Sequence, residues 1–477
     1  MISVSSFLLF ETFYPELHFF GDGMYKWNQI SDLDISVTKL FSCYYPAKSF
    51  DSNFHFLSNS KVITIIDHEC YYLYPYSLSL FMYLPVKILG AKAVILVQHI
   101  LVVLVLYFSF GIALELGLSF IQTISALTLI RFGTSISYAC LDLEEHIITT
   151  VLFLSACYLS IRYKKYFISG SLVALCFLFR PESIVLSFVF VFAVYLLENK
   201  KSSNRMLPIM QSVFGACLVL SIIMALNFLF FKNPLGIKAY DQIHHVSIQE
   251  RLLGSVTHLF YSKFFITNPI FLQMPILFFL FFFFSQKISR NDIQSFLLFL
   301  IVSVPILVLI SPPTPTLSLG LRFGMPIYPI MILLVINLFP KIVSFRFRNL
   351  IRLIFLLLYL WSILNTGFFL FLSHKFYYEY LKVYTALKKI DSNLLIITDT
   401  ITFQALSEEL NQRKVLLITN DEEISEFIKK NGQTNSISIA GVALNHKKII
   451  TGSKNLKLFS EQGSGFIQIL SLSKTTE

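Results

Sequence analysis

Residues 162–201 read RYKKYFISGSLVALCFLFRPESIVLSFVFVFAVYLLENKK. Two apolar runs, 166–180 and 183–198, stand back to back and are separated only by the turn Arg180-Pro181-Glu182. Basic residues crowd both outer ends, Arg162, Lys164 and Lys165 at one and Lys200 and Lys201 at the other, while Arg180 stands alone at the turn. Each run approaches the roughly 20 apolar residues that a membrane helix needs. An excess of Lys and Arg marks the cytoplasmic end of such helices. The stretch therefore predicts a helical hairpin that enters the membrane from the cytoplasm, turns at Arg180 on the outer face, and returns.

The rest of the chain repeats the pattern. Of 477 residues, 55% are hydrophobic, only 14% are charged and fifty are phenylalanine; mean hydropathy is +0.68. A soluble domain carries roughly 25% charged residues. Further apolar runs lie near 91–114, 117–133, 146–162, 208–231, 269–285, 295–311, 325–339 and 351–372. With the N-terminal stub MISVSSFLLFETFY they predict about eleven transmembrane helices. The stub lacks the basic start of a secretory signal, so it is expected to be a short or truncated first span. The connectors RYKK, NKKSSNR, QKISR (Lys287, Arg290) and KIVSFRFRNLIR (Lys341, Arg346, Arg348, Arg352) alternate with connectors that carry little more than Arg180 and Arg322. The formal net charge of +10 is thus a topology signal rather than a nucleic-acid stripe. Six scattered cysteines form no CxxC pair. Cys43 and Cys70 share one long loop, either as a disulfide or as two free thiols.

This topology sends to the outer face the loop of 15–90, the segment GTSISYACLDLEEH (133–146), the RPE turn, the loop of 232–268, the turn SPPTPTLSLGLRFG (311–324) and the C-terminal tail. The tail has a different pattern. NLLIITDT and KVLLIT predict strands, and FQALSEELNQ (403–412) predicts a helix. NDEEISEFIKKNG predicts another helix, with Asn420 as N-cap, Glu423 three residues on, and Gly432 as its stop. The expected fold class is an all-α polytopic membrane protein with a small C-terminal α/β extramembrane domain. The division falls into a membrane-embedded domain, 1–380, with outer loops 15–90 and 232–268, and an α/β domain, 381–477. Without a Walker A run or a GxGxxG, nucleotide binding has no support.

Few ionisable residues fall inside the apolar runs. His99 is the clearest, with Gln98, Gln122, Gln211 and Asn227 as neutral companions. Ion-coupled transporters hold their ion on ionisable groups deep in the spans, so this scarcity weighs against a transporter. A lone His99 fits helix packing better than ligation. Acids and arginines at the outer surface suit a reaction on a lipid-linked phosphate instead. A guanidinium grips phosphate bidentately and keeps its charge when partly buried. A carboxylate can take the proton of an attacking hydroxyl.

Five segments in order carry a family resemblance: FFGDGMYKW, YLYPYSLSLFMYLPVKILG, LDLEEHIITTVLFLSACYLSIRYKKYFISGSLVALCFLFRPES, NFLFFKNPLG and SLGLRFGMPIYPIMIL. Over roughly 19–340 the chain resembles the C-type superfamily of glycosyltransferases, the polytopic enzymes that use polyprenyl-phosphate sugars. The bacterial mannosyltransferase-like and aminoarabinose-transferase-like branches are nearest. The resemblance implies transfer of a sugar from a polyprenyl-phosphate carrier to a glycan, lipid or protein acceptor, with inversion, on the outer face of the bacterial inner membrane. The C-terminal domain would be periplasmic or extracellular. It implies no nucleic acid and no definite cofactor, and it leaves a divalent metal open. One departure is that Gly23 follows Asp22, where family members often carry a second acid.

On this basis Asp22 is the expected catalytic base, against an ordinary turn role for GDG. Arg180 and Arg322 are the expected phosphate ligands; the alternatives for Arg180 are snorkelling or pairing with Glu182. Asp67, Glu69, Asp142, Glu145 and Asp241 are candidate acceptor- or sugar-binding acids. Asp142 and Glu145 have the alternative role of stabilising a helix start. Asp67-His68-Glu69 is a conceivable metal site, although no ligand spacing such as HExxH follows. Lys232, Tyr240, His244 and His245 join Asp241 in the 232–268 loop, as pocket lining or as a solvated face. A lipid-linked-sugar flippase or transporter and an O-antigen-polymerase-like enzyme are the rival readings.

Overall fold

The structure is a computed structural model that describes residues 19, 22–35, 42–58, 63–66, 68–140, 142–197, 206–237, 247, 249–250, 252–254, 270–280, 291–310, 322–342, 348–406, 409–431, 436–442, 456–464 and 467–474. In chain order these form α1 (Asp22–Ile35), β1 (Ile63–Ile66), β2 (Glu69–Tyr72), α2 (Tyr76–Leu89), α3 (Lys92–Glu115) and α4 (Phe120–Phe132). Then come α5 (His146–Tyr163), α6 (Tyr166–Phe179), α7 (Ile184–Leu197), α8 (Met206–Phe231), α9 (Asp292–Leu300), α10 (Ser303–Ile310), α11 (Tyr328–Ile342) and α12 (Arg348–Lys388). The tail adds β3 (Leu394–Ile397), β4 (Val415–Leu417), α13 (Asp421–Asn431), β5 (Ser436–Gly441), β6 (Leu456–Ser464) and β7 (Ile467–Lys474). These residues fold as two compact units, one drawn from 91–372 and the other from 14–90 with 373–477.

The first unit is helical. Among the described residues of the whole chain, α3, α5, α8, the segment Asp292–Ile310 and α12 are long and apolar enough to cross a membrane. Tyr76–Leu89, Phe120–Phe132, Tyr166–Phe179, Pro181–Leu197 and Tyr328–Pro340 are shorter apolar helices. The run expected at 295–311 breaks into α9 and α10 around Ile301 and Val302. Pro305 has no N–H to return to the preceding turn, so it is accommodated in the first turn of a new helix. Ser119 and Gln122 form a capping box at the start of α4, and Asn291 and Gln294 do so at α9. The hairpin of 162–201 is present as α6 and α7 around a 3-10 turn at Pro181–Ser183. Helix α8 leans on α6 through small residues. A Cβ at Gly170 would meet the Ser212 backbone and one at Gly215 the Phe167 carbonyl; the Ser171 hydroxyl donates to the Gly215 carbonyl at 3.3 Å.

The second unit is α/β. Its five-stranded sheet has the order β4-β3-β5-β7-β6, parallel for β4, β3 and β5 and antiparallel beyond. Strands β3 and β4 are buried along their whole length, which is why they are apolar without alternation. Asn420 caps α13 as expected, its side chain accepting from the Glu422 N–H at 2.9 Å, while Gly432 lies outside the described residues. The helix expected over 403–412 is replaced by two short helices, Thr400–Phe403 and Glu409–Gln412. The Asp399 carboxylate caps the first of these at Thr402 N–H, 2.7 Å. The chain then tightens into a turn that buries Ala405 and Leu406. One hydrophobic core joins Met24, Tyr25, Cys43, Phe54, Ile63 and Tyr72 of the first long loop to Leu395, Leu416, Ile439 and Leu470 of the sheet. That loop also holds the antiparallel hairpin β1–β2 and a Cys43–Cys70 disulfide, so the disulfide alternative is the one adopted.

Candidate active site

In the first unit, three separate segments bring charge together. Helix α5 begins at His146, and Glu144 and Glu145 lie just before it. The α6–α7 turn supplies Arg180 and Glu182, and a 3-10 turn at Arg322–Gly324 ahead of α11 supplies Arg322. Nη1 of Arg180 donates to Glu145 Oε1 at 2.5 Å, and its Nη2 pairs with Glu182. Nη1 of Arg322 pairs with Glu144 Oε1. The second oxygen of Glu144 lies 4.0 Å from Nε2 of His146. Glu144, Glu145, His146, Arg180 and Glu182 are all buried, and the Arg322 side chain is 14% exposed against 6% for Arg180.

Local structure explains how these groups are held. Gln98 of α3 donates to the Glu144 carbonyl at 3.1 Å, tying the segment before α5 to its neighbour. Thr149 and Thr150 return their hydroxyls to the His146 carbonyl, each at 2.7 Å. Ser183 donates to the Arg180 carbonyl at 2.6 Å, closing the RPE turn. Burial by itself would lower the Arg180 pKa, and the like charge of Arg322 acts in the same direction; Glu182 and Glu145 outweigh both and raise it. The two arginines are therefore close enough to feel one another, and each is compensated by acid.

Pairing of Arg180 with Glu182, the alternative to a phosphate-binding role, is present, and Glu145 joins it. Glu145 does not cap α5, which has no side-chain cap bond. The Asp142 carboxylate accepts from the Leu143 N–H at 2.7 Å and is half-buried. His99 is buried, with its Nδ1–H donating to the Ile95 carbonyl at 2.9 Å within its own helix, the packing role. The candidate site read from the sequence did not include Glu144 or His146 and took Glu182 only as an alternative partner for Arg180. The run Glu144-Glu145-His146 was its visible signal, since three ionisable residues rarely open an apolar helix.

In the second unit, Asp22 occupies the first turn of α1, where a carboxylate also meets the positive end of the helix dipole. The Tyr74 hydroxyl donates to Asp22 Oδ1 at 2.6 Å. The ammonium of Lys26 lies over the Tyr74 ring, 5.4 Å from its centre. Gln29 donates to the Tyr74 carbonyl at 2.9 Å, so one tyrosine ties α1 to the chain ahead of α2. Burial, with Asp22 beside it, pushes the Tyr25 phenol well above its ordinary pKa. One helical turn from Gln29 in the other direction lies Asp32, whose carboxyl burial raises to about 7 although the Tyr44 N–H donates to it at 3.0 Å. Glu69 is half-buried on β2 opposite Ile66. Asp67 and Asp241 lie outside the described residues, as do Tyr240, His244 and His245. Among the described residues, no three His, Cys, Asp or Glu side chains converge as a metal site.

No protein-family model matches the sequence, and no curated protein matches it. Among the solved structures that match, two do so along nearly the whole chain. One is ArnT from Cupriavidus metallidurans bound to undecaprenyl phosphate, with a TM-score of 0.56 at 9% identity, covering 98% of this chain and 96% of that one. The other is the apo state of the same protein, with a TM-score of 0.54 at 11% identity over 98% and 97% of the two chains. The chain has the fold of ArnT. At this identity the likeness concerns the fold, which matches the one implied by the order of segments from FFGDGMYKW to SLGLRFGMPIYPIMIL.

Proposed function

We propose that this chain is a multi-pass inner-membrane glycosyltransferase that takes a sugar from a polyprenyl-phosphate carrier and transfers it to an acceptor on the outer face. The observation that carries the reading is the ArnT fold over 98% of the chain, one matched structure having undecaprenyl phosphate bound. Two features of this chain support it. The buried Arg180 and the partly buried Arg322 stand in the helical unit, where a lipid phosphate needs charge compensation. The Cys43–Cys70 disulfide favours an oxidising compartment for the second unit, in agreement with the basic-residue topology.

In this reading Asp22, oriented by Tyr74, removes the proton of the acceptor hydroxyl. The freed oxygen attacks the anomeric carbon, the bond from that carbon to the phosphate oxygen breaks, and its electron pair leaves on the phosphate. The product lipid monophosphate gains a negative charge, which Arg322 and Arg180 neutralise. The phosphate is already a good leaving group, so orientation and charge compensation are the main tasks. Glu69, Asp142 and Glu145 are acids for sugar or acceptor contact in this scheme, Glu145 acting through Arg180. The test is to reconstitute the purified full chain in liposomes with labelled undecaprenyl-phosphate sugars and candidate acceptors. Acceptor-dependent release of undecaprenyl phosphate supports transfer. A lipid carrier that is moved but never cleaved contradicts it and favours a flippase.

A further inference from the structure

The second unit buries a lysine that the transfer scheme does not use. Lysine is almost never fully buried unless it is paired, yet Lys26 on α1 is 1% exposed. It stands four positions after Asp22. Residues at that spacing are neighbours on one face of a helix, and an acid placed ahead of a lysine is the favoured order.

Around this pair, α1 holds Tyr74 from several sides. The Lys26 ammonium lies over the Tyr74 ring, 5.4 Å from its centre, and the Tyr25 ring stacks on the same tyrosine with centres 6.2 Å apart. Gln29 donates to the Tyr74 carbonyl at 2.9 Å and is itself fixed by the Ser79 hydroxyl of α2, which donates to Gln29 Oε1 at 3.1 Å. The Tyr74 hydroxyl then meets Asp22 Oδ1 at 2.6 Å. Tyr25, Lys26 and Gln29 are buried, and a cation is held more strongly over an aromatic face when water is excluded. The tyrosine that bonds the carboxylate is thus tied back to the carboxylate's own helix. Asp22, Lys26 and Tyr74 each have further partners, so the hold is that of a cluster rather than of one contact.

Resting on the reading that Asp22 is the base, we infer that Lys26 is a positioning residue that keeps the Asp22 carboxylate aimed at the acceptor hydroxyl. No bond is made or broken at Lys26, and it touches neither donor nor acceptor. A general base works only within hydrogen-bond reach of the proton it removes, and a misplacement of about 1 Å can cost about a hundredfold in rate. Loss of the ammonium therefore slows the chemical step and leaves substrate binding as it was.

The test is a double-mutant cycle on the purified full chain in liposomes. The probes are undecaprenyl phosphates that carry a radiolabelled hexose or aminopentose, with a bacterial envelope lipid extract as acceptor. Enzyme is kept in excess, so that slow variants are read in a single turnover. Lys26→Met is expected to lower the saturating rate constant about tenfold and to leave the half-saturating concentration unchanged. In the Asp22→Asn background the same change is expected to cost almost nothing, because no carboxylate remains to be aimed. A lysine that only supports the fold, or one that binds substrate, would cost the same in both backgrounds. An equal loss in both, a change confined to half-saturation, or no loss in Lys26→Met overturns the inference and leaves Asp22 standing as the base. Should Lys26→Met not fold, Lys26→Gln carries the same expectation; failure of both to fold makes the lysine structural and overturns the inference. Equal transfer by wild type and Asp22→Asn, or no transfer by the wild type from any of these donors, overturns the reading of Asp22 and this inference with it.

Discussion

Arg180 and Glu145, 35 positions apart in the chain, meet across 2.5 Å in the interior of the helical unit. The pair ties the turn between α6 and α7 to the start of α5. Glu182 on the other side of the guanidinium makes Arg180 the shared centre of two buried carboxylates. Removing one member of such a group strands a buried charge.

Arg180→Met is therefore expected to lower the stability of the helical unit by about 3–5 kcal/mol. Adding Glu145→Gln is expected to restore part of that loss, because the stranded acid disappears. Unfolding of the three proteins in detergent checks this, and a double variant no better than Arg180→Met would contradict it.

Much of this site was legible in the sequence, in an uneven way. Lone arginines on the poorly basic side of the chain singled out Arg180 and Arg322, because the topology bias leaves an outer arginine in need of a local reason. The partners were less visible. Glu182, two positions from Arg180, was foreseeable as its partner, but nothing in spacing tells which arginine Glu145, 35 residues away, will meet. Glu144 lay hidden for the same reason, next to a residue that was singled out. The fold shows the same contrast. Apolar runs gave α3, α5, α6, α7 and α8 close to their observed ends, since burial in lipid writes itself into composition. The shared core of Tyr25 and Tyr72 with Leu395 and Leu416 was not legible, because it depends on the meeting of two segments more than 300 residues apart.

The Cys43–Cys70 disulfide closes a loop with a sequence separation of 27. Chain-entropy arguments put its worth at about 3–4 kcal/mol for the second unit. Replacing both cysteines by serine is expected to lower that unit's stability by this order and to leave the helical unit's unfolding unchanged. Labelling with a maleimide under denaturing, non-reducing conditions should leave Cys43 and Cys70 unmodified in the wild type. Labelling of both would contradict the bond.

Asp32 gives the second unit a pH dependence of known sign. Burial raises its carboxyl from 3.8 to about 7. The folded state thus prefers the protonated acid, so the stabilisation is complete below the unfolded value and is lost as pH rises toward the folded one. Relative to Asp32→Asn, the wild type is expected to lose up to about 4 kcal/mol between roughly pH 4 and pH 7. Thermal unfolding across that range checks it, and a difference that stays flat with pH would contradict it.

The α6–α8 contact is set by glycine. A side chain at Gly170 would run into the Ser212 backbone, and one at Gly215 into the Phe167 carbonyl, and backbone cannot yield as a side-chain tip does. Gly170→Leu and Gly215→Leu are each expected to cost at least about 1–3 kcal/mol, whereas Phe214→Leu on the exposed face of α8 should cost little. Protease resistance in detergent would rank the three variants.

If the chain transfers sugar with Asp22 as the base, turnover depends on that carboxylate. The direct measurement is transfer of label from undecaprenyl-phosphate sugars to acceptor in membranes containing equal amounts of wild type and Asp22→Asn. Transfer by the wild type and a loss of about 10²–10⁴-fold in the variant are expected. Equal transfer by both would leave Asp22 as a helix-start residue and contradict the account.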